Sequence, residues 1–151
     1  MELLNEIKQL GQKSWDECSS IKGETCAFHG ERGFIIEPDI EQYQRLSEQQ
    51  SLIVLTLRDE GKLNGYGIGI LYRSLHHKPV SVGNVDTFYI EPGYRSYTGV
   101  AIQKLEREFQ SRGISIIGWP TSPEGSLCAV LKSLGYIPDD VVMEKRLPCA
   151  L

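Results

Sequence analysis

The chain lacks a basic excess. Its 151 residues hold 16 Lys and Arg against 20 Asp and Glu, a net charge of −4, with no basic run that could track a phosphate backbone. Direct nucleic-acid binding is therefore not expected. Long apolar runs are missing too, none approaching the roughly 20 residues that span a bilayer. The opening Met1-Glu2-Leu3-Leu4-Asn5-Glu6 is acidic where a secretory leader is basic, so a cytoplasmic protein without membrane association is expected. The four cysteines, Cys18, Cys26, Cys128 and Cys149, show no paired C-x-x-C spacing, which indicates neither a disulfide framework nor a metal site. No G-x-x-x-x-G-K-[ST] or G-x-G-x-x-G occurs, which argues against nucleotide binding, and there are no internal repeats.

What is present is enough for a core. A chain of this length with 40% hydrophobic residues buries roughly two-thirds of its unfolded surface. One domain over 1–151 is expected, with an N-terminal helical and loop region at 1–33 and a core at 34–147. Leu3, Leu4, Ile7, Leu10 and Trp15 recur at helical spacing, interrupted by Gly11. Asp16–Gly33 has no periodicity. Phe34-Ile35-Ile36 is a short strand candidate. Asp39 can cap a helix that buries Ile40, Tyr43 and Leu46.

Ser51–Asp59 and Leu63–Tyr72 read as two strands joined at Asp59-Glu60-Gly61-Lys62. Gly65, Gly67 and Gly69 alternate along the second. Glycine on one strand face admits close approach by a ligand or by an aromatic from a packed helix, and the sequence leaves both open. Arg73–Pro79 is a loop holding His76 and His77, and Val80–Ile90 is a central strand. Ile114–Trp119 is a further strand, Ser122-Pro123-Glu124 opens a helix that stops at Gly135, and Tyr136-Ile137-Pro138 with Val141–Leu147 forms a closing hairpin. These elements describe an α/β domain on one mixed sheet.

The stretch that organises the chain is Val85–Gly113. Pro92-Gly93 ends the central strand, and Ser96 and Thr98 are available to cap the next helix. Val100, Ile102, Leu105 and Phe109 form that helix's apolar face, and Gly113 suits the left-handed position after its end. A loop feeding a helix N-terminus points unpaired N–H groups at the positive end of the dipole, which suits a phosphate.

Tyr89-Ile90-Glu91-Pro92-Gly93-Tyr94-Arg95 resembles the approach to the coenzyme A pyrophosphate loop of the GNAT acyltransferases. That family's loop is Arg/Gln-x-x-Gly-x-Gly/Ala, and here the fit is one residue out of register, with Thr98 or Ser96 at the departing position. Leu131-Lys132-Ser133-Leu134-Gly135-Tyr136 is similar to the family's late Leu-Gly-Tyr helix end, and Val141–Leu147 to its last strand. Gly61–Gly67 resembles its third-strand start, and Leu75-His76-His77 looks most like the small acetyltransferases encoded by tailed phages. The resemblance covers roughly residues 35–147.

It implies the GNAT fold, a mixed central sheet flanked by helices on both faces, and an N-acetyltransferase that moves acetyl from acetyl-CoA directly to a primary amine of a small molecule or protein. On that pattern Phe88, Tyr89 and Ile90 lie beside pantetheine, and Arg95, Ser96, Tyr97, Thr98, Gly99 and Val100 beside the pyrophosphate. Asp86 or His76 is the base, with His77 and Glu91 also within consideration, and the 16–33 segment is a lid or a surface loop. By plain strand alternation Phe88 shares the face of Asp86, while Thr87 and Tyr89 take the other, unless a bulge intervenes. The family's acid, a Tyr four residues before the helix-ending Gly, is replaced by Leu131, which leaves Tyr136, Cys128 or water in its place, or no acid at all, since a thiolate is a fair leaving group at neutral pH. The alternative is a degenerate fold that binds a protein partner, and the sequence is compatible with a homodimer.

Overall fold

The computed structural model describes residues 2–22, 36–76, 78–121, 123 and 125–139. They fall into two compact units, one holding residues before Asp39 and after Ile137, the other Asp39–Ile137. The expected strand at 34–36 for the most part, the expected hairpin strand Val141–Leu147, His77, and Ser122 with Glu124 lie outside the described residues. Among the described residues no helix is long and apolar enough to cross a membrane.

In the first unit, α1 runs over Glu2–Lys22 without a break. The interruption expected at Gly11 does not occur. A single internal glycine costs a helix about 1 kcal/mol relative to alanine, too little to end one that buries Ile7 and Leu10 on a common stripe. The Gln12 carboxamide accepts from the Ile36 amide at 3.0 Å, tying the following segment to the helix.

The second unit begins with α2, Ile40–Glu48, where Asp39 is the cap and its carboxylate accepts from the Gln42 amide at 2.9 Å. Ile40 is exposed, and Tyr43 and Leu46 are only half-buried, so the fully buried face expected of this helix is not formed. The strands β1 (Leu52–Asp59), β2 (Lys62–Arg73), β3 (Ser81–Ile90) and β4 (Ile116–Gly118) follow in sheet order β1-β2-β3-β4. The first two ladders are antiparallel, and β3–β4 is parallel. Glu60 and Gly61 join β1 to β2 with φ of 46° and 82°, the two left-handed residues that a tight hairpin matching the strand twist requires.

A 3-10 helix over Pro92–Tyr97 leads directly into α3, Thr98–Ser111, and α4 covers Ser126–Ser133. The expected side-chain caps of α3 are absent: its cap position is Tyr97, and the Thr98 hydroxyl donates back to the Arg95 carbonyl at 2.7 Å. The helix expected from Ser122 starts only at Ser126, after Gly125. Both α3 and α4 end in the same way. Gly113 (φ 75°) and Gly135 (φ 92°) take the left-handed position, and the next amides, of Ile114 and Tyr136, donate to Phe109 and Leu131 at 3.1 Å. Those bonds satisfy carbonyls that the helix end would otherwise leave open.

The core of this unit lies between α3 and one sheet face. Ile53, Val85, Leu105, Phe109 and Ile114 form it, with Phe88, Ile117 and Trp119 packed against them. The alternating glycines serve that packing. A methyl group at Gly69 or Gly83 would overlap the Phe109 ring, and one at Gly67 would press on Leu105 and Phe88. Of the two uses that the sequence left open for these glycines, Gly69 accommodates an aromatic from a packed helix.

Candidate active site at the bulge of the central strand

Between β2 and β3 the register slips. Ile68 faces Thr87 but Gly69 faces Val85, so Asp86 is one extra residue in the β3 ladder. A bulge of this kind lets two successive side chains take the same face. Val85 points into the α3 core, whereas Thr87 shares the opposite face with Tyr66, their hydroxyls 3.3 Å apart. Asp86 goes with Thr87, for its charge acts on the phenols of both Tyr66 and Tyr43. Plain alternation is thereby corrected: Asp86 keeps company with Thr87 and Tyr89, and Phe88 turns to the α3 side.

Asp86 remains solvent-accessible, yet the surrounding protein displaces enough water to raise its carboxyl above the ordinary 3.8. The phenols of Tyr43 and Tyr66 are raised in turn, first by burial and then by that carboxylate, the Thr87 hydrogen bond partly offsetting the rise at Tyr66. Asp86 itself makes no hydrogen bond or ion pair with any described residue.

Along the other edge of the same strand the pairing is short. The β3–β4 ladder consists of Val82, Gly83 and Asn84 against Ile116, Ile117 and Gly118 and goes no further. Beyond it Trp119 packs edge-on against Phe88, ring centres 5.3 Å apart, and against Tyr136 at 6.2 Å. The Trp119 indole nitrogen and the Tyr136 hydroxyl are both buried without a hydrogen bond of acceptable geometry. Burial pushes the Tyr136 phenol up to about 12, with the nearby Glu106 carboxylate adding to the rise and Trp119 opposing it. Two buried polar atoms left without partners beside the end of a ladder are uncommon in a folded protein.

The corner after β3 is tightly held. The Glu91 amide donates to the Asn64 carbonyl at 2.9 Å, and the Tyr94 hydroxyl to Asp59 at 2.8 Å. The Arg95 side chain folds back, its Nε donating to the Ile90 carbonyl at 3.3 Å. The amides of Tyr94 and Thr98 donate to Glu91 and Arg95 within the 3-10 turn. Gly93 and Gly99 face open space, and Tyr97 and Val100 are exposed. The predicted cofactor residues 95–100 thus sit together on one exposed turn, but part of its N–H set is already spent.

Of the predicted base candidates, His76 is exposed on the turn before β3. Asp86 lies five residues beyond the strand's first residue, Ser81, roughly 16 Å along it, so the two are not brought together. Tyr43 and Trp119 are the neighbours that sequence reading missed. The signal for Trp119 was its place at the end of a strand; nothing local marked Tyr43.

No family model and no curated protein matches the chain. Solved structures do match in shape. A tetramutant protein from Bacillus halodurans aligns over 95% of this chain and 94% of its own at 14% identity and a TM-score of 0.74. An aminoglycoside acetyltransferase from an uncultured soil metagenomic sample, in complex with sisomicin, aligns over 99% and 90% at 10% identity, with a TM-score of 0.72. The chain has the GNAT acetyltransferase fold. Another structure with this acetyltransferase fold, AAC(6')-Iy, holds a bisubstrate analogue joining CoA to acetylneamine and aligns over 75% and 82% at 17% identity, TM-score 0.59.

Proposed function

We propose that the protein is an N-acetyltransferase that moves acetyl from acetyl-CoA to a primary amine within a ternary complex. The observation that carries this reading is the bulge at Asp86 on a strand whose pairing with its parallel neighbour ends at Asn84. It sets a carboxylate with no partner among the described residues on one face, and beyond the end of the β3–β4 ladder the rings of Phe88, Trp119 and Tyr136 pack edge to edge. In this reading pantetheine lies beside β3 along Phe88, Tyr89 and Ile90, and the pyrophosphate lies over the turn from Arg95 to Val100.

Holding thioester and amine side by side supplies much of the rate. Asp86 accepts the proton of the attacking amine, directly or through water; a carboxyl raised above its ordinary value is a better base for that step. The new C–N bond forms as the C–S bond breaks, and CoA departs as the thiolate. A phenol held near 12 gives up its proton poorly to a thiolate whose conjugate acid lies near about 8.5. Tyr136 therefore acts as a hydrogen-bond donor to the departing sulfur.

The second reading, a fold turned protein-binding module, is favoured by one feature: the Tyr94 and Thr98 amides already bonded inside the 3-10 turn. Release of CoA thiol in the presence of an amine panel separates the two. The transferase reading expects turnover that falls by roughly 100-fold in Asp86→Asn; no turnover with any amine, together with no change in thermal midpoint on adding CoA, supports the module.

A further inference from the structure

Acetyl transfer as read above uses the N-terminal end of α3. At the other end of the helix, about 20 Å away along its 14 residues, lies a cleft that the reaction leaves unused. We infer that this cleft is a second ligand site, built for a phosphate group, either free phosphate or a small phosphate monoester. Its chemistry is independent of acetyl transfer.

The cleft exists because the sheet outruns the helix that covers it. Gly69 and Gly83 lie under the Phe109 ring, and from there β2 and β3 continue in register, Leu71 opposite Gly83 and Arg73 opposite Ser81. Side chains alternate along each strand, so Arg73 and Ser81 are neighbours on the α3 face. The helix stops at Ser111, about half a turn beyond Phe109. The overhang leaves a cavity of about 800 Å³ between the end of α3, the α2–β1 corner and the sheet. Arg73 and Arg112 line it together with Ser47, Ser51, Ser81 and Ser111, and no carboxylate does.

Two helix C-termini meet here, and open carbonyls at those ends would repel an anion. They are spent within the chain. Ser47 and Leu46 accept from the Gln50 and Ser51 amides, Phe109 and Gln110 from the Ile114 and Gly113 amides, and Glu108 from the Ser111 hydroxyl. Arg112 covers two more, its Nη1 donating to the carbonyls of Leu52 at 2.9 Å and Gln50 at 3.3 Å. Those bonds hold its guanidinium in place, while its Nε and Nη2 have no partner among the described residues. Neither has the Arg73 guanidinium. Two cations thus face the cleft without an anion, one fork rising from the sheet and the other from the helix end. A phosphate monoester carries about two negative charges at neutral pH and three acceptor oxygens in a tetrahedral array. It accepts from donors on different walls, and a guanidinium fork matches it. A single carboxylate lies in one plane and brings half the charge.

The test is calorimetric titration of the full chain with O-phosphoserine, inorganic phosphate, succinate and serine at fixed ionic strength. Saturable binding of phosphoserine or phosphate is expected, about 10-fold or more tighter than succinate, with no heat from serine. The tighter of the two phosphates tells an ester from the free ion. Arg73→Gln should weaken that binding by about 10-fold or more, and Ser81→Asp, which sets a carboxylate beside Arg73, should abolish it. Arg107→Gln removes the same charge outside the cleft lining and should change nothing. Phosphate also suits the turn at the head of α3, so Gly99→Asp is titrated in parallel and should bind as the wild type does. Binding that survives Arg73→Gln, or that is lost in Gly99→Asp, belongs elsewhere and overturns the inference. So does succinate bound as tightly as phosphate, or no saturable binding of either phosphate by the wild type at millimolar ligand.

Discussion

Gly83→Ala is the sharpest probe of how the candidate site is supported. Gly83 lies in the short β3–β4 ladder, two residues before Val85 and three before the bulge. A Cβ there would fall 2.5 Å from Cδ1 of Phe109 and closer still to Cε1, where ordinary contact begins at 3.4 Å. The ring would have to give way by more than about 0.9 Å. It has little room to move, for Phe109 is fully buried and the tip of its ring also meets Gly69. Overpacking of this kind costs about 1–3 kcal/mol, and the complete burial of the ring places the expected value near 3 kcal/mol. Urea unfolding should show a lower midpoint with an unchanged slope. Phe109→Leu placed in the Gly83→Ala background should then cost less than it does alone, with a coupling of about 1 kcal/mol or more. A loss under about 0.5 kcal/mol for Gly83→Ala, within the range of an ordinary surface change, or strict additivity of the pair, would refute the argument that the glycines exist to receive Phe109.

Three further outcomes follow from the same geometry. Gln50 occupies a left-handed position (φ 54°) at the end of α2, with its amide and that of Ser51 donating back to Ser47 and Leu46, so Gln50→Gly should stabilise the fold by about 0.5–1 kcal/mol in thermal or urea unfolding. Asp86 holds its proton to higher pH in the native state than in the unfolded chain, where it is released near 3.8. Its contribution is therefore present at low pH and is lost as pH rises through the native value; Asp86→Asn should match the wild type near pH 3 and become relatively more stable above about pH 4, measured as unfolding midpoints across pH. Tyr136→Phe removes a buried hydroxyl that makes no acceptable hydrogen bond, so stability should hold or rise by up to about 1 kcal/mol, while kcat for acetyl transfer falls; parallel loss of both would make the hydroxyl structural.

Much of the frame was legible because its signals are local. Asp39 reads as a helix cap, Gly113 and Gly135 as helix ends, and Glu60-Gly61 as a hairpin turn, each because few residue types tolerate those backbone states. Gln50 does the same work as the two glycines and gives no sign of it. Gly11 shows the reverse, an apparent breaker overridden by a helix that packs its neighbours Ile7 and Leu10.

The site was less legible than the frame. Asp86 and the pairing of its face could not be had from period-two alternation, because a single added residue exchanges the faces from that point onward. The 3-10 turn was signalled by Pro92, the residue best suited to a first helical position, but a stop signal and a start signal coincide there. Tyr43 joins Asp86 only through tertiary packing across 43 positions of sequence, beyond the reach of any local pattern.

The most direct test of the transferase account is calorimetric titration of acetyl-CoA into the full chain and into Gly99→Asp, a site where a side chain meets open space and so should fold normally. The account predicts saturable binding with a dissociation constant in the micromolar range, abolished when the added carboxylate faces the pyrophosphate. Absence of heat with the wild type at near-millimolar ligand, or equal binding by the variant, would contradict it.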